Sequence, residues 1–360
     1  MFLQSIRLFN FRNHTDSRFE FSERVNCIMG ENGSGKTNLL DAVYFLSLTK
    51  SSIQKQDALS ITHDETLMVI DGDFVKGEKK ENITISLQAG QKKNVLANKK
   101  NYDRLSDHIG KYPVVLIAPD DTDMIRDASD TRRKLFDGIM AQFDAEYLSL
   151  YQQYNRLLDQ RNSLLKQFAE REYFDQKMLD TYSEPLVRIG IDIAGKRRLF
   201  MELFLPLVKN HYETISGEKE VAGILYESEV QGDFEAVFKK NQKRDLSAQR
   251  TTKGVHKDDF VFELDGQPIK KFGSQGQRKS FVLAVKLAQF ELLESHHGKK
   301  PILLLDDIFD KLDDHRIGKL IEKIDDETFG QIFISDARPE RTKRILEKVK
   351  AEVKYFDLKS

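Results

Sequence analysis

The first fourteen residues, MFLQSIRLFNFRNH, alternate apolar and polar positions, the period-two pattern of a half-buried strand. A second apolar run, RVNCIM at 24–29, reads as a short buried strand, and TNLLDAVYFLSL at 37–48 as an amphipathic helix. Near the other end, Ile302–Leu305 are four consecutive apolar residues, as expected of a strand buried in a parallel sheet. QIFIS at 331–335 predicts a final strand. Between these lies a helical pattern. Phe281, Val285, Ala288 and Leu292 recur at helical spacing after Ser274-Gln275-Gly276-Gln277. The stretch from Asp144 to Glu172 has neither Gly nor Pro. Its apolar positions (Tyr147, Tyr151, Tyr154, Leu158, Leu165, Phe168) approximate a heptad seam interrupted by Arg161. About four heptads span roughly 40 Å. A second helical run starts at Phe174, and Pro185 is expected to kink or break it.

Strand and helix enclose a loop with its own chemistry. Gly30, Gly35, Lys36 and Thr37 satisfy G-x-x-x-x-G-K-[ST] in GENGSGKTN. Glycines let backbone N–H groups approach phosphates, and the helix N-terminus adds a favourable dipole. Gly30, Glu31, Asn32, Gly33, Ser34, Gly35, Lys36, Thr37 and Asn38 are therefore the expected cradle. Lys36 would reach the β- and γ-phosphates, and the Thr37 hydroxyl would ligate Mg²⁺. Such a loop needs an acid from another strand. Asp306 and Asp307, emerging from the Ile302–Leu305 run, supply it: Asp306 to hold Mg²⁺, Asp307 to orient or deprotonate the attacking water. About 270 residues separate the two halves, a spacing foreign to small GTPases, so the nucleotide domain is split around an insertion.

Composition narrows the setting. The 360 residues are 39% hydrophobic and 32% charged, and no apolar run approaches the roughly 18 residues of a membrane helix. The N-terminus lacks the pattern of a signal peptide. One cysteine, Cys27, points to a reducing compartment, hence the cytoplasm. Net charge is −1, but its distribution is uneven. Lys239 to Lys257 holds seven basic residues against Asp245 alone, and Lys76 to Arg104 holds eight against three acids.

Ser274 and Gly276 at a helix start offer a hydroxyl and N–H groups to an anion, a second phosphate-type terminus about 30 residues before Asp306. The order of glycine loop, this helix, the Asp306 strand and KLDD (Lys311–Asp314) resembles the ABC ATPase superfamily. Within its SMC-like branch the chain resembles the bacterial RecF family. The resemblance rests on LFNFRNH (Leu8–His14), LIAPDDTDMIRDASDTRRKLFD (Leu116–Asp137), GVHKDDFVF (Gly254–Phe262) and GSQGQRKSFVLAVKLAQ from Gly273. These motifs span nearly the whole chain. Three features depart from the pattern: Gly273 stands where Leu is usual, Val115 at the Q-loop position, and the pair Ser335 and Asp336 where transporters carry a switch His.

The resemblance implies an α/β fold, an ABC/SMC-like ATPase head with a mixed or parallel sheet, split by a helical lobe. Residues 1–118 and 250–360 would form the head and 119–249 a mainly helical arm that folds back. It implies ATP and Mg²⁺ as cofactors, with Arg12 and Asn13 near the nucleotide. Ser274, Gly276 and Gln277 would complete the site of a partner copy in an ATP-dependent homodimer. It further implies slow, DNA-stimulated ATP hydrolysis on double-stranded or gapped DNA in replication, repair and the SOS response. RecR, with RecO and RecA, would be the partners. Two other readings remain: the ATPase subunit of a transporter, and an ATP-gated nuclease of the overcoming-lysogenization type.

Overall fold

The computed structural model describes residues 1–217, 220–310 and 313–358. The chain forms two compact units. The first, a head, comprises Met1–Asp121, Thr214–Ser216 and Val282–Ser360; the second, a lobe, comprises Thr122–Glu213 and Gly217–Phe281. The strands are β1 (Phe2–Phe11), β2 (His14–Glu20), β3 (Val25–Gly30), β4 (Leu67–Lys76), β5 (Lys79–Gln88), β6 (Asn94–Ala97), β7 (Lys100–Asn101) and β8 (Val114–Ile117). They continue with β9 (Ala222–Glu227), β10 (Asp259–Leu264), β11 (Gln267–Pro268), β12 (Ile302–Asp306), β13 (Ile332–Asp336) and β14 (Val353–Leu358).

In the head, β14-β3-β13-β12-β8 form a parallel sheet and β2-β1-β4-β5-β6-β7 an antiparallel one. The helix Lys36–Leu48 lies in the core between them. Leu39, Leu40, Val43, Phe45 and Leu46 join a cluster with Leu3, Ile6, Ile70 and Ile83 of one sheet and Ile28, Val114, Ile302 and Phe333 of the other. Its sequence pattern predicts one apolar face. The helix is instead buried around most of its circumference, because a sheet covers each side. Gln331 ties the two sheets together, its side chain accepting from Leu3 N at 2.7 Å and donating to Leu3 O at 2.8 Å. Both ends of the chain thus close one core.

The lobe is built on the helices Ser129–Phe143, Ala145–Arg171 and Gln176–Ser216, with a small β11-β10-β9 sheet. Arg161 Nε donates to Ser183 Oγ, and Arg197 Nε to Tyr147 Oη. These contacts step in opposite directions along the two long helices, so the arm folds back on itself as an antiparallel pair. Two expectations change. Pro185 does not break its helix, which runs unbroken from Gln176 to Ser216. The ring removes one hydrogen bond, but Leu179, Leu186 and Val187 are buried around it and hold the turn in place. Arg161 does not interrupt the seam; it is a buried member of it. Its Nη1 meets Asp245 Oδ2 at 2.9 Å and Thr251 Oγ1 at 2.7 Å, which satisfies a charge that could not otherwise be buried.

Residues 250–281 belong to this lobe, not to the head. β10 pairs antiparallel with β9, and Arg132 grips Asp259 through Nε and Nη2, both at 2.8 Å. Arg197 bridges Asp137 at 2.8 Å and Asp258 at 2.7 Å. The double-Arg and H-K-D-D motifs are therefore one buried clasp. Arg132 and Asp137 come from the helix Ser129–Phe143, Asp258 and Asp259 from the entry into β10.

Candidate nucleotide-binding site

Gly30 ends β3, and Gly35 caps the helix Lys36–Leu48. Between them the chain must turn tightly to lead from the strand into the helix. Gly35 adopts φ 99°, open to glycine and strained for other residues. A Cβ there would lie 2.6 Å from the Asn13 side chain, so Asn13 seals the loop from behind. A Cβ on Gly30 would lie 2.5 Å from Leu358 O and from Ser34 Oγ. Lys36 is buried, its Nζ donating to the carbonyls of Gly30 at 3.0 Å and Glu31 at 2.9 Å, within the loop it is expected to serve. Glu31, Asn32 and Gly33 are exposed at the rim. Ser34 Oγ is buried without a hydrogen-bond partner. A buried, unpaired hydroxyl beside a lysine in a glycine-lined cradle fits a phosphate ligand.

The acids arrive from β12. In the parallel register Asp306 lies beside Ser335 of β13, and Ser335 beside Ile28 of β3. The carboxyl ends of all three strands therefore emerge together, the place where ligands bind in open α/β sheets. Thr37 Oγ1 donates to Asp306 Oδ1 at 3.0 Å, joining residues 269 apart in sequence. A hydroxyl and a carboxylate in contact form an oxygen-donor pair suited to Mg²⁺. Burial raises the Asp306 carboxyl above the usual carboxylate range, opposed by hydrogen bonds from Ser335 and Thr37 and by the charge of Lys36. Asp307 is half-buried in the left-handed region at φ 43°, its amide bonded to Ser335.

Arg12 and Asn13 support the loop from the turn that follows β1. Arg12 Nη2 donates to Asp41 Oδ2 at 2.7 Å and Ser51 Oγ at 2.8 Å. Asp41 is buried in the glycine-loop helix and also accepts from Ser52 N and Oγ, both at 2.6 Å. Arg12 thus reaches that helix from below. Asn13 Oδ1 accepts from Asn38 Nδ2 at 2.7 Å. His14, which closes the LFNFRNH motif but is given no role there, places Nε2 3.3 Å from Gly35 O, and burial lowers its pKa. Asp41 and His14 carry no spacing signal, because their partners are brought by the fold.

The RecF/RecN/SMC N terminal domain family matches residues 2–355. The DNA replication and repair protein RecF of Flavobacterium johnsoniae is 45% identical over 359 residues, 99% of this chain and 100% of its own length. The chain belongs to the RecF family. A solved structure of the recombination mediator protein RecF-ATP in the RecFOR pathway superposes with a TM-score of 0.86 at 30% identity, covering 94% of this chain and 92% of that one. A Smc head domain from Pyrococcus furiosus, bound to the C-terminal domain of ScpA, shares the fold at a TM-score of 0.53 and 19% identity, with coverage of 95% and 91%. The family is one of SMC-like ABC ATPases, and the two rival readings have no support among these relatives.

The motifs of RecF resemblance divide between the units. The glycine loop, Asp306 and Asp307 lie in the head; Ser274, Gly276 and Gln277 lie in the lobe. Ser274 is exposed and caps the helix Gln275–His297. Its Oγ accepts from Gln277 N at 3.1 Å, while Gln277 Oε1 accepts from Ser274 N at 2.5 Å, a reciprocal capping box. Gln277 also donates to Glu220 at 2.5 Å. Of the D-loop stretch, Lys311 and Leu312 lie outside the described residues; Asp313 caps the helix Asp314–Asp325. Asp336, at the switch position, is buried, with Oδ1 accepting from Arg338 N at 2.6 Å. The basic stretches are partly consumed by internal pairs: Lys76 with Glu81, Lys93 with Asp57, Lys239 with Glu235 and Lys253 with Glu229. Lys240, Lys243, Arg244, Arg250 and Lys257 stay exposed in the lobe, as do Lys79, Lys80, Lys99 and Lys100 in the head. No described helix is long and apolar enough to cross a membrane.

Proposed function

We propose that this chain is an ATP-driven DNA clamp of recombinational repair. The observation that carries the reading is the Thr37–Asp306 contact at the joined strand ends, beside Lys36 in its glycine cradle. ATP is the substrate, held by residues 30–38 with Lys36 on the β- and γ-phosphates. Thr37 and Asp306 hold Mg²⁺, which when bound offsets phosphate charge. Asp307 orients the attacking water. Two copies close on two nucleotides, with Ser274, Gly276 and Gln277 of each facing the other's phosphates, and the closed pair grips duplex or gapped DNA. The exposed lysines and arginines meet DNA phosphates without reading bases. RecR is the partner that connects this clamp with RecO and RecA, in the cytoplasm. The family relatives are repair proteins, which supports the DNA side of this reading.

Replacing the lysine tests the nucleotide side. Lys36→Ala removes the cradle's cation and is expected to weaken ATP binding by at least about 10-fold to 100-fold, from the 1.5–3 kcal/mol of a charge-assisted hydrogen bond. Calorimetric titration of ATP into both proteins measures it. Equal affinities would refute the assignment.

A further inference from the structure

β13 is an apolar strand, Ile332-Phe333-Ile334, that ends on a hydroxyl. Ser335 is fully buried, and burying a hydroxyl is unfavourable unless its hydrogen bonds are made. Both are made, and both go to the acids of the neighbouring strand. Ser335 Oγ donates to Asp306 Oδ1 at 2.5 Å and accepts from Asp307 N at 3.1 Å. Ser335 O also accepts from Asp307 N at 3.2 Å. Asp306 Oδ1 thereby receives two hydroxyls, Thr37 from the glycine-loop helix and Ser335 from β13. Asp307 stands at φ 43°, a conformation that persists in a non-glycine residue only where its surroundings enforce it.

We infer that Ser335 is the positioning residue for both acids, its hydroxyl aiming the Asp306 carboxylate and pinning the Asp307 backbone from the adjacent strand. The inference rests on the ATP and Mg²⁺ reading above. Asp306 and Asp307 are consecutive, so a strand geometry alone would send their side chains to opposite faces. The left-handed turn at Asp307 changes that direction, and Ser335 is the side chain that holds the turn. Partners of this kind, behind a metal-binding carboxylate, typically contribute 10-fold to 100-fold to metal affinity or activity. Beside it at the switch position, Asp336 turns Oδ1 to Arg338 N, while Ser335 is the β13 side chain that bonds Asp306 and Asp307.

The test uses the full-length protein and a fluorescent ATP analogue, titrated in EDTA and against increasing Mg²⁺, with kcat and KM measured alongside. Ser335→Ala should leave affinity in EDTA unchanged. It should raise the Mg²⁺ concentration at half-maximal binding by about 10-fold or more and lower kcat by a similar factor. Ser335→Thr retains the hydroxyl and should restore both. If Ser335→Ala proves unfolded by circular dichroism, Ser335→Cys, similar in shape but a weak donor, is read by the same criteria. A wild-type Mg²⁺ requirement and kcat in the folded Ala or Cys protein would overturn the inference while leaving the ATP reading intact. So would an equal loss in Ser335→Thr. If the wild-type protein itself shows no Mg²⁺-dependent nucleotide binding, both the reading and the inference fall.

Discussion

Asp307 shows how much of the site's chemistry is set at single residues. Its backbone is held by Ser335 just past the end of the strand, and the role proposed for its carboxylate is to orient the attacking water. Asp307→Asn keeps the shape and removes the negative charge. ATP and Mg²⁺ binding should persist within about threefold, because the proposed binding groups Lys36, Thr37 and Asp306 are untouched. Turnover should fall by 10²-fold to 10⁴-fold, the usual worth of a positioned acid or base. Steady-state phosphate release measured beside equilibrium ATP binding separates the two, and a wild-type rate would move the role to another group. The asymmetry between Asp306 and Asp307 is also physical. Asp306 is buried beneath two hydroxyls, whereas Asp307 lies half-exposed past the end of the strand.

The elements of the lobe are joined by buried charge, and there the sequence pattern misleads. Heptad spacing treats Arg161 as a flaw in the seam, yet its ion pair with Asp245 is buried on both sides. Arg161→Met should destabilise the lobe by about 3–5 kcal/mol, since Asp245 would keep its charge without its partner. Adding Asp245→Asn should recover part of that loss, and urea unfolding of both variants measures the coupling. A second, half-buried group gives a pH signature. His256 Nδ1 lies 2.7 Å from Tyr154 Oη and Nε2 3.1 Å from Thr251 O, which suits a neutral ring donating through Nε2 and accepting at Nδ1. Burial lowers its pKa to about 4. The unfolded value is about 6.5, so the unfolded chain takes up the proton first. This contribution to stability is complete above about pH 6.5 and is lost as pH falls towards about 4, by about 3 kcal/mol in all. His108 in the head is lowered to about 4 by burial as well, so the wild-type slope contains both. Unfolding free energies at pH 7 and pH 4.5 should fall less for His256→Gln than for wild type; identical slopes would show the ring to be charged or exposed.

For the molecule as a whole, the claim that separates a clamp from a simple P-loop enzyme is the site shared between copies. Ser274 is exposed at its helix start and makes a capping box, so substitution there should leave the head unchanged. Ser274→Arg is expected to bind ATP as a monomer within about threefold of wild type, yet to fail in ATP-dependent dimerisation and hydrolysis. Mixing it with Lys36→Ala gives a dimer with one potentially complete site, and some ATPase activity should return. Light scattering with and without ATP, beside phosphate release, reads both effects. A dilute Ser274→Arg monomer that hydrolyses ATP at the wild-type rate would refute the shared site.

What the sequence determines by itself is local or periodic. A glycine loop between an apolar strand and a helix, an apolar strand ending in two acids, and a long helical run without Gly or Pro are legible because propensity and spacing act over a few residues. They sufficed for the parallel head sheet and a helical arm; that the arm folds back followed from the family resemblance. The tertiary structure decided what depends on partners far apart in the chain. Sequence named Ser335 but could not give it a role, because its contacts with Asp306 and Asp307 exist only through the register of β12 and β13. Arg12 meets Asp41, and Arg161 meets Asp245 84 residues away, for the same reason. Pro185 stays helical because burial around it outweighs its local preference. Residues 250–281 join the lobe because β10 finds β9 and Asp259 finds Arg132. Hydrogen bonds and buried ion pairs are chosen by proximity in the folded chain, and proximity across hundreds of residues leaves no periodic trace in the sequence.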